Sequence, residues 1–346
     1  MKPNKLICIA FALMLSAAVG AVEVEAGHGT SIQMDNDFFS SRNDRDYSFG
    51  GTLTFGTPRS NRLVAGLDTI RARLNGLLMP SMAAESVALR STQVGLIGMT
   101  PQHILLGAAQ PNDRPYASLL YLATSQVSVS ENARRATYSS MAVGAFGLRV
   151  AETLQKGVHK AIGGGDPQGW THQISDGGEP TARFVRAEQW LLGNDEFVRA
   201  RGREVKFTVS GSAGYLTEGS AALSMRFGRI QSPWWQFAPE LADYTAAPIA
   251  PAGGEEMGTS ELYGFVGVRL RARLYNAMLQ GQLRHSDVRV DSADLEHLQT
   301  EAWVGFAYTR ADWRITYTMR AASKEISNGP AARALVWGAI NFERAF

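Results

Sequence analysis

The sequence predicts an all-β fold: one closed antiparallel transmembrane barrel of about twelve strands, with a short helix on its extracellular side. Three observations predict it. First, apolar and polar residues alternate along many segments, as they do on strands with one wet and one dry face. Trp313, Ile315, Tyr317 and Met319 share one parity, while Arg314, Thr316, Thr318 and Arg320 share the other. Val266, Val268, Leu270 and Leu274 likewise alternate with Arg269, Arg271 and Arg273, and Val205, Phe207 and Val209 with Lys206, Thr208 and Ser210. Second, 45% of residues are hydrophobic, yet no apolar run of 18 residues follows the leader, which excludes a bundle of membrane-spanning helices. Third, the chain ends in a strand that carries Phe342 and Phe346 on one parity, an aromatic ending typical of outer-membrane barrels. A soluble β-sandwich also alternates, but three arginines in five residues suit a hydrated lumen better than a dry surface.

Residues 1–26 read as a signal peptide. Lys2 and Lys5 form a basic start, Leu6 to Ala18 an apolar core too short to span a bilayer, and Ala18, Gly20, Ala21 and Ala26 offer small-residue cleavage points. The barrel domain then takes residues 27–346. The only cysteine, Cys8, lies in the leader, so a disulfide framework, cysteine-ligated zinc and a cysteine nucleophile are excluded. The net charge of +2 is too small for a nucleic-acid partner.

Strands are expected near 28–38, 46–57, 88–100, 114–130, 134–147, 181–193, 203–216, 220–230, 261–275, 298–310, 312–323 and 333–346. An even count returns both termini to the periplasm. Three connections exceed turns. Ser60 to Ala88 places Leu63, Leu67, Ile70, Leu74 and Leu78 near helical spacing, for a periplasmic helix on the inner leaflet or packed on the barrel end. Pro233 to Thr259, rich in Pro, Gly and Ala and carrying Trp234 and Trp235, reads as an extracellular loop. Leu148 to Pro180 holds the chemistry.

Within that third connection, Val150, Leu154, Val158 and Ile162 recur every four residues and predict a helix over 149–162. Gln155 and His159, also four apart, project from one neighbouring face. Strand counting puts this helix at the same end as Asn36-Asp37, with Asp35 as an alternative carboxylate, and as Ser48, which has lumen parity at the start of the second strand. A histidine, a carboxylate, an amide and a hydroxyl at one rim are what ester hydrolysis needs: a base to take a proton, and donors or a cation for the oxyanion. Each motif has a bland reading too. A lone helical histidine usually packs or faces water, Asn-Asp is a common turn pair, and a strand serine usually lines a lumen.

Asp35-Asn36-Asp37-Phe38-Phe39, then Asp44-Arg45-Asp46-Tyr47-Ser48-Phe49-Gly50, then Asn112-Asp113-Arg114-Pro115-Tyr116-Ala117-Ser118 form an ordered set, continued by Gln155, His159, Gly169-Trp170 and Gln173. This set resembles the LpxR-type outer-membrane lipid A deacylase family over essentially the whole mature chain. The resemblance implies a twelve-stranded barrel in the bacterial outer membrane that removes a 3′-linked acyloxyacyl chain from lipid A of lipopolysaccharide, with calcium dependence. It makes His159 the general base that activates water, with Asn36, Asp37, Ser48 and Gln155 as the other active-site positions. Ca²⁺ would be held by Asp37 with Asn36, since hard cations take oxygen ligands. The protein would act as a monomer, without a nucleic-acid partner.

Two departures stand out. Where members of the family carry a basic pair after the third strand, this chain has the apolar, small stretch Ile104 to Ala109. The family's acidic residue after the histidine falls at Gly165, with Asp166 beside it. The rival reading is therefore a catalytically inactive barrel or passive pore of the same fold, and a soluble β-sandwich hydrolase comes third.

Overall fold

The structure, a computed structural model, describes residues 29–37, 46–56, 64–78, 85–192, 202–251 and 260–345. The leader, the Phe38–Phe39 and Asp44–Arg45 parts of the first two motifs, and Phe346 lie outside these residues.

Alternation produces strands in all twelve expected windows. They are β1 (Gly29–Asn36), β2 (Asp46–Gly56), β3 (Glu85–Thr100), β4 (Ala117–Ser130), β5 (Arg135–Phe146), β6 (Glu179–Leu192), β7 (Arg203–Gly214), β8 (Leu216–Arg229), β9 (Ser260–Asn276), β10 (Leu298–Arg310), β11 (Trp313–Ala322) and β12 (Leu335–Ala345). Each pairs antiparallel with its neighbours, and β1 closes the ring against both β2 and β12, with Gly29 opposite Gly56 and Ala345. Closure leaves no sheet edge unpaired, as a membrane-spanning sheet requires. Helices α1 (Ala65–Leu78) and α2 (Val150–Ile162) lie in two of the long connections.

The register follows the parity read from sequence. Val266, Val268, Leu270 and Leu274 face outward and are 39–67% exposed, while Arg269, Arg271 and Arg273 are buried inside. Trp313, Ile315 and Met319 face outward opposite buried Arg314, Thr318 and Arg320. A reversed register would place these arginines in lipid, at about 2–4 kcal/mol each near the bilayer midplane.

The lumen differs from expectation: it is packed rather than open and hydrated. The segment after β8, expected outside the cell, begins at the end that holds the termini. There the Trp234 indole N–H donates to the Ala133 carbonyl in the β4–β5 turn, at 2.7 Å. The chain then enters the barrel. Glu240, 1% exposed, accepts from Gln189 at 2.6 Å and Thr208 at 3.0 Å and pairs with Lys206 at 2.7 Å, while its carbonyl accepts from Arg269. Asp243 pairs with Arg183 and Arg271, and the Pro248 carbonyl accepts from Ser91. The connection follows an even strand, so topology places it on the periplasmic side. Its carboxylates then balance lumen cations, Glu240 that of Lys206 and Asp243 those of Arg183 and Arg271, which could not remain buried and unpaired.

Candidate active site at the extracellular rim

The first half of the site is built where β1–β3 reach the rim. Asn36 ends β1 and has the outward parity of Ile32 and Met34; its side-chain amide donates to the Ser48 carbonyl. Asp37, 4% exposed, follows in a turn whose N–H donates to the Tyr47 carbonyl at 3.2 Å. Ser48 does not keep the lumen parity expected of it. The register slips between Tyr47 and Phe49, making Ser48 the extra residue of a β-bulge. Its hydroxyl shares a hydrogen bond with that of Thr100 at the end of β3, a residue on the parity of Leu96 and Gly98 rather than that of lumen-facing Ile97 and Met99. Asp35, the alternative carboxylate, has the parity opposite to Asn36 and is held by the Gln33 amide at 2.9 Å inside the barrel. The structure thus joins Asn36, Asp37 and Ser48 and separates Asp35 from them. Thr100 carried no signal of its own in the sequence.

The second half rides on α2, whose exposed side is laced by Arg149–Glu152 at 2.8 Å and Lys156–Glu152 at 3.0 Å. Burial raises the Glu152 pKa, but the hydrogen bonds from Arg149 and Lys156 outweigh it and leave the carboxyl below its ordinary value. The other side buries Ala151, Leu154 and Gln155. Ala151 and fully buried Trp170 pack with Tyr116 against Phe49 of β2 and Leu96 of β3, which seats the helix against the outer wall of the strands that carry Ser48 and Thr100. The Trp170 indole donates to Gln155 Oε1 at 2.8 Å, so the amide oxygen is committed to the indole and the NH₂ is turned the other way.

One turn on, His159 Nδ1 lies 2.7 Å from the Gly165 carbonyl oxygen. The helix ends at Gly163 in the left-handed conformation (φ 74°), and the N–H groups of Gly163 and Gly164 both return to the His159 carbonyl. Glycine suits that turn because a side chain at positive φ is strained. The reversal carries Gly165 back over the imidazole. A carbonyl can only accept, so Nδ1 carries the hydrogen, and in the neutral ring Nε2 is the unprotonated nitrogen. A backbone carbonyl, rather than a carboxylate, thus holds the imidazole. Asp166 is used elsewhere, accepting from Gln168 at 3.2 Å.

The apolar stretch after β3 borders the same turn. Leu105 and Leu106 are 59% and 52% exposed, the Ile104 carbonyl accepts from the Gln168 N–H at 2.9 Å, and a side chain at Gly165 would meet Leu105. The Asn112–Tyr116 motif is structural in large part. Arg114, 1% exposed, bonds Glu325 at 2.7 Å and Asp46 at 3.3 Å, and Arg333 bridges Asp46 and Asp113. Burial raises the Glu325 pKa, but the charges of Arg114 and Arg273 prevail and bring it from 4.5 to about 2. Sequence reading missed this network because its partners lie up to 287 positions apart.

Comparison with known proteins agrees with this architecture. No curated protein matches by sequence. Among solved structures, LpxR from Salmonella typhimurium superposes with a TM-score of 0.67 over 92% of this chain and 100% of that one, at 16% identity. The KdgM porin and the β domain of the Bordetella autotransporter BrkA reach only 0.39, at 6% and 9% identity, with 92% and 93% of this chain covered and 99% and 100% of theirs. The family model for the outer membrane protein LpxR matches residues 6–346. A closed twelve-stranded barrel, its rim residues and that match lead to one assignment: the chain belongs to the LpxR family and resides in the bacterial outer membrane.

Proposed function

We propose that this protein is an outer-membrane esterase that removes the 3′-linked acyloxyacyl chain from lipid A, working as a monomer. The observation that carries the reading is the 2.7 Å contact between His159 Nδ1 and the Gly165 carbonyl. It puts the hydrogen on Nδ1, which supports Nε2 as the base, on a helix packed against the wall at the rim where outer-leaflet lipid meets the barrel.

In the mechanism, His159 Nε2 takes a proton from water as the oxygen attacks the ester carbonyl. The imidazolium then returns the proton to the departing oxygen, while the Gly165 carbonyl keeps Nδ1–H in place. Asn36 and Gln155 would orient the ester, a role supported by each amide being anchored at one end, to the Ser48 carbonyl and the Trp170 indole respectively. The Ser48 hydroxyl is bonded to Thr100, which favours a positioning role over that of a nucleophile.

The donor set fits Ca²⁺ in kind. Asp37 supplies a buried carboxylate, and Asn36, whose NH₂ is occupied, supplies its amide oxygen, giving hard oxygen ligands only. Among the described residues no group of three or more His, Cys, Asp or Glu could hold a metal, so carbonyls or water would complete the sphere. A cation there would supply electrostatic stabilisation of the oxyanion.

The passive-pore alternative gains nothing from the lumen, which the segment after β8 fills with ion-paired side chains. The deciding experiment is mass spectrometry of lipid A from cells with and without the protein. Loss of one acyloxyacyl unit is expected, and an unchanged pattern supports an inactive barrel.

A further inference from the structure

Helix α1 is built inside out. Its single fully buried residue is Arg71, 4% exposed, while Ile70, Leu77 and Leu78 are 48%, 81% and 60% exposed. Arg71 reaches the barrel wall, donating to Ser139 at 2.8 Å and Gln126 at 3.1 Å and bonding Asp68 at 3.2 Å. Asp68 in turn accepts from Thr124 at 2.8 Å, and Asn75 accepts from Arg186. The wall residues are on the outer face. In β4, the alternate residues Tyr121 and Ser125 point into the lumen, where they bond Gln93 and the Pro248 carbonyl, which turns Thr124 and Gln126 outward. The barrel therefore carries a polar stripe on β4–β6, on the side that lipid surrounds elsewhere.

The stripe is not confined to the periplasmic margin. Thr124, Ser139 and Arg186 lie six, four and six residues in from the strand ends at Ser130, Arg135 and Leu192. At roughly 3.3 Å per residue and with ordinary barrel tilt, that places the stripe on the order of 10 Å or more above the strand ends. Bare polar and charged groups at that depth would be costly. Helix α1 satisfies them and presents leucine and isoleucine in their place, continuing the apolar outer wall formed by Val209, Leu223 and Val268. Arg73, also on an exposed position, has a stem long enough to carry its charge toward the periplasmic headgroups.

We propose that α1 lies in the periplasmic leaflet of the outer membrane, clamped by Arg71 to the exterior of β4 and β5, with Ile70, Leu77 and Leu78 against phospholipid acyl chains. The helix is thus an interaction surface for lipid, independent of the active site on the far side of the membrane.

The test uses the full chain in vesicles, in a Cys8→Ser background. Leu77→Cys, Val268→Cys and Glu131→Cys each carry a nitroxide: the first on α1, the second on the lipid-facing wall, the third in the exposed β4–β5 turn. Leu77 should match Val268, accessible to oxygen and protected from a water-soluble nickel chelate; accessibility like that of Glu131 overturns the proposal. Adding Arg71→Leu should raise the mobility of the Leu77 label, because the clamp is lost, and unchanged mobility argues against the clamp. Dipolar coupling between Leu77 labels on separate chains would show that a second copy, rather than lipid, covers this face. Leu77 is 81% exposed, so its replacement does not threaten folding.

Discussion

His159 Nδ1 and the Gly165 carbonyl oxygen are 2.7 Å apart, six residues distant in sequence and brought together by a glycine reversal at the end of α2. The contact places the hydrogen on Nδ1, so on the proposed mechanism the chemistry is expected to depend on Nε2 of this one ring.

Replacement of His159 by alanine should reduce turnover by about 10²–10⁴-fold, the usual cost of losing a general base. Ser48→Ala should retain measurable activity if its hydroxyl, bonded to Thr100, only positions the rim. The comparison is read from lipid A deacylation rates of the two variants. Equal loss in both, with a covalent acyl adduct on Ser48, would make serine the nucleophile.

Calcium dependence should pass through Asp37. EGTA is expected to silence deacylation by the wild-type protein and added Ca²⁺ to restore it, while Asp37→Asn should need more Ca²⁺ for half-maximal activity. Activity indifferent to EGTA would remove the cation from the site.

The lumen segment makes its own prediction. Glu240→Ala leaves Lys206 and the neighbouring polar groups buried without their shared carboxylate. Breaking a buried pair in this way typically costs about 3–5 kcal/mol. The urea midpoint of the reconstituted barrel should fall accordingly, and conductance across planar bilayers, expected to be absent in the wild type, should appear as the segment loosens. A wild-type protein that conducts would revive the pore reading.

Acid should loosen the extracellular mouth. The Glu325 pKa is lowered from 4.5 to about 2, so its pairing with Arg114 contributes fully above the unfolded-state value and is lost as pH falls through the folded-state value. The heat-modifiable migration of the folded barrel should therefore weaken between pH of about 4.5 and 2, and Glu325→Gln should flatten that dependence. An identical pH profile in the variant would assign the acid transition to other carboxylates.

Much of this protein was legible in one dimension because a barrel wall obeys a local rule. Side chains alternate with period two, so Val266–Leu274 and Trp313–Arg320 declare their two faces and the strand count declares which end each connection reaches. The candidate site was legible only as types and spacing: Gln155 and His159 share a helix face, and Asn36-Asp37 ends a strand. What alternation could not convey is any break in it. The bulge at Ser48 reverses the side its hydroxyl takes, and Asp35, of the same parity as Asp37, faces the lumen from the strand while Asp37 lies in the turn beyond its end.

Tertiary structure alone decided the rest, because the partners are distant in sequence and unlike in kind. A loop rich in Pro, Gly and Ala resembles any surface loop until Glu240 meets Lys206 and Asp243 meets the arginines that need it. A leucine stripe at helical spacing suggests a buried apolar face, yet in α1 the buried residue is Arg71, since the wall beside it is polar and the surroundings are lipid. The sequence by itself determined the barrel, its register and the residues available for catalysis. Which of those residues meet, and which face of each helix turns inward, depended on what lay opposite, and burial of a charge is decided by its partner rather than by its position in the chain.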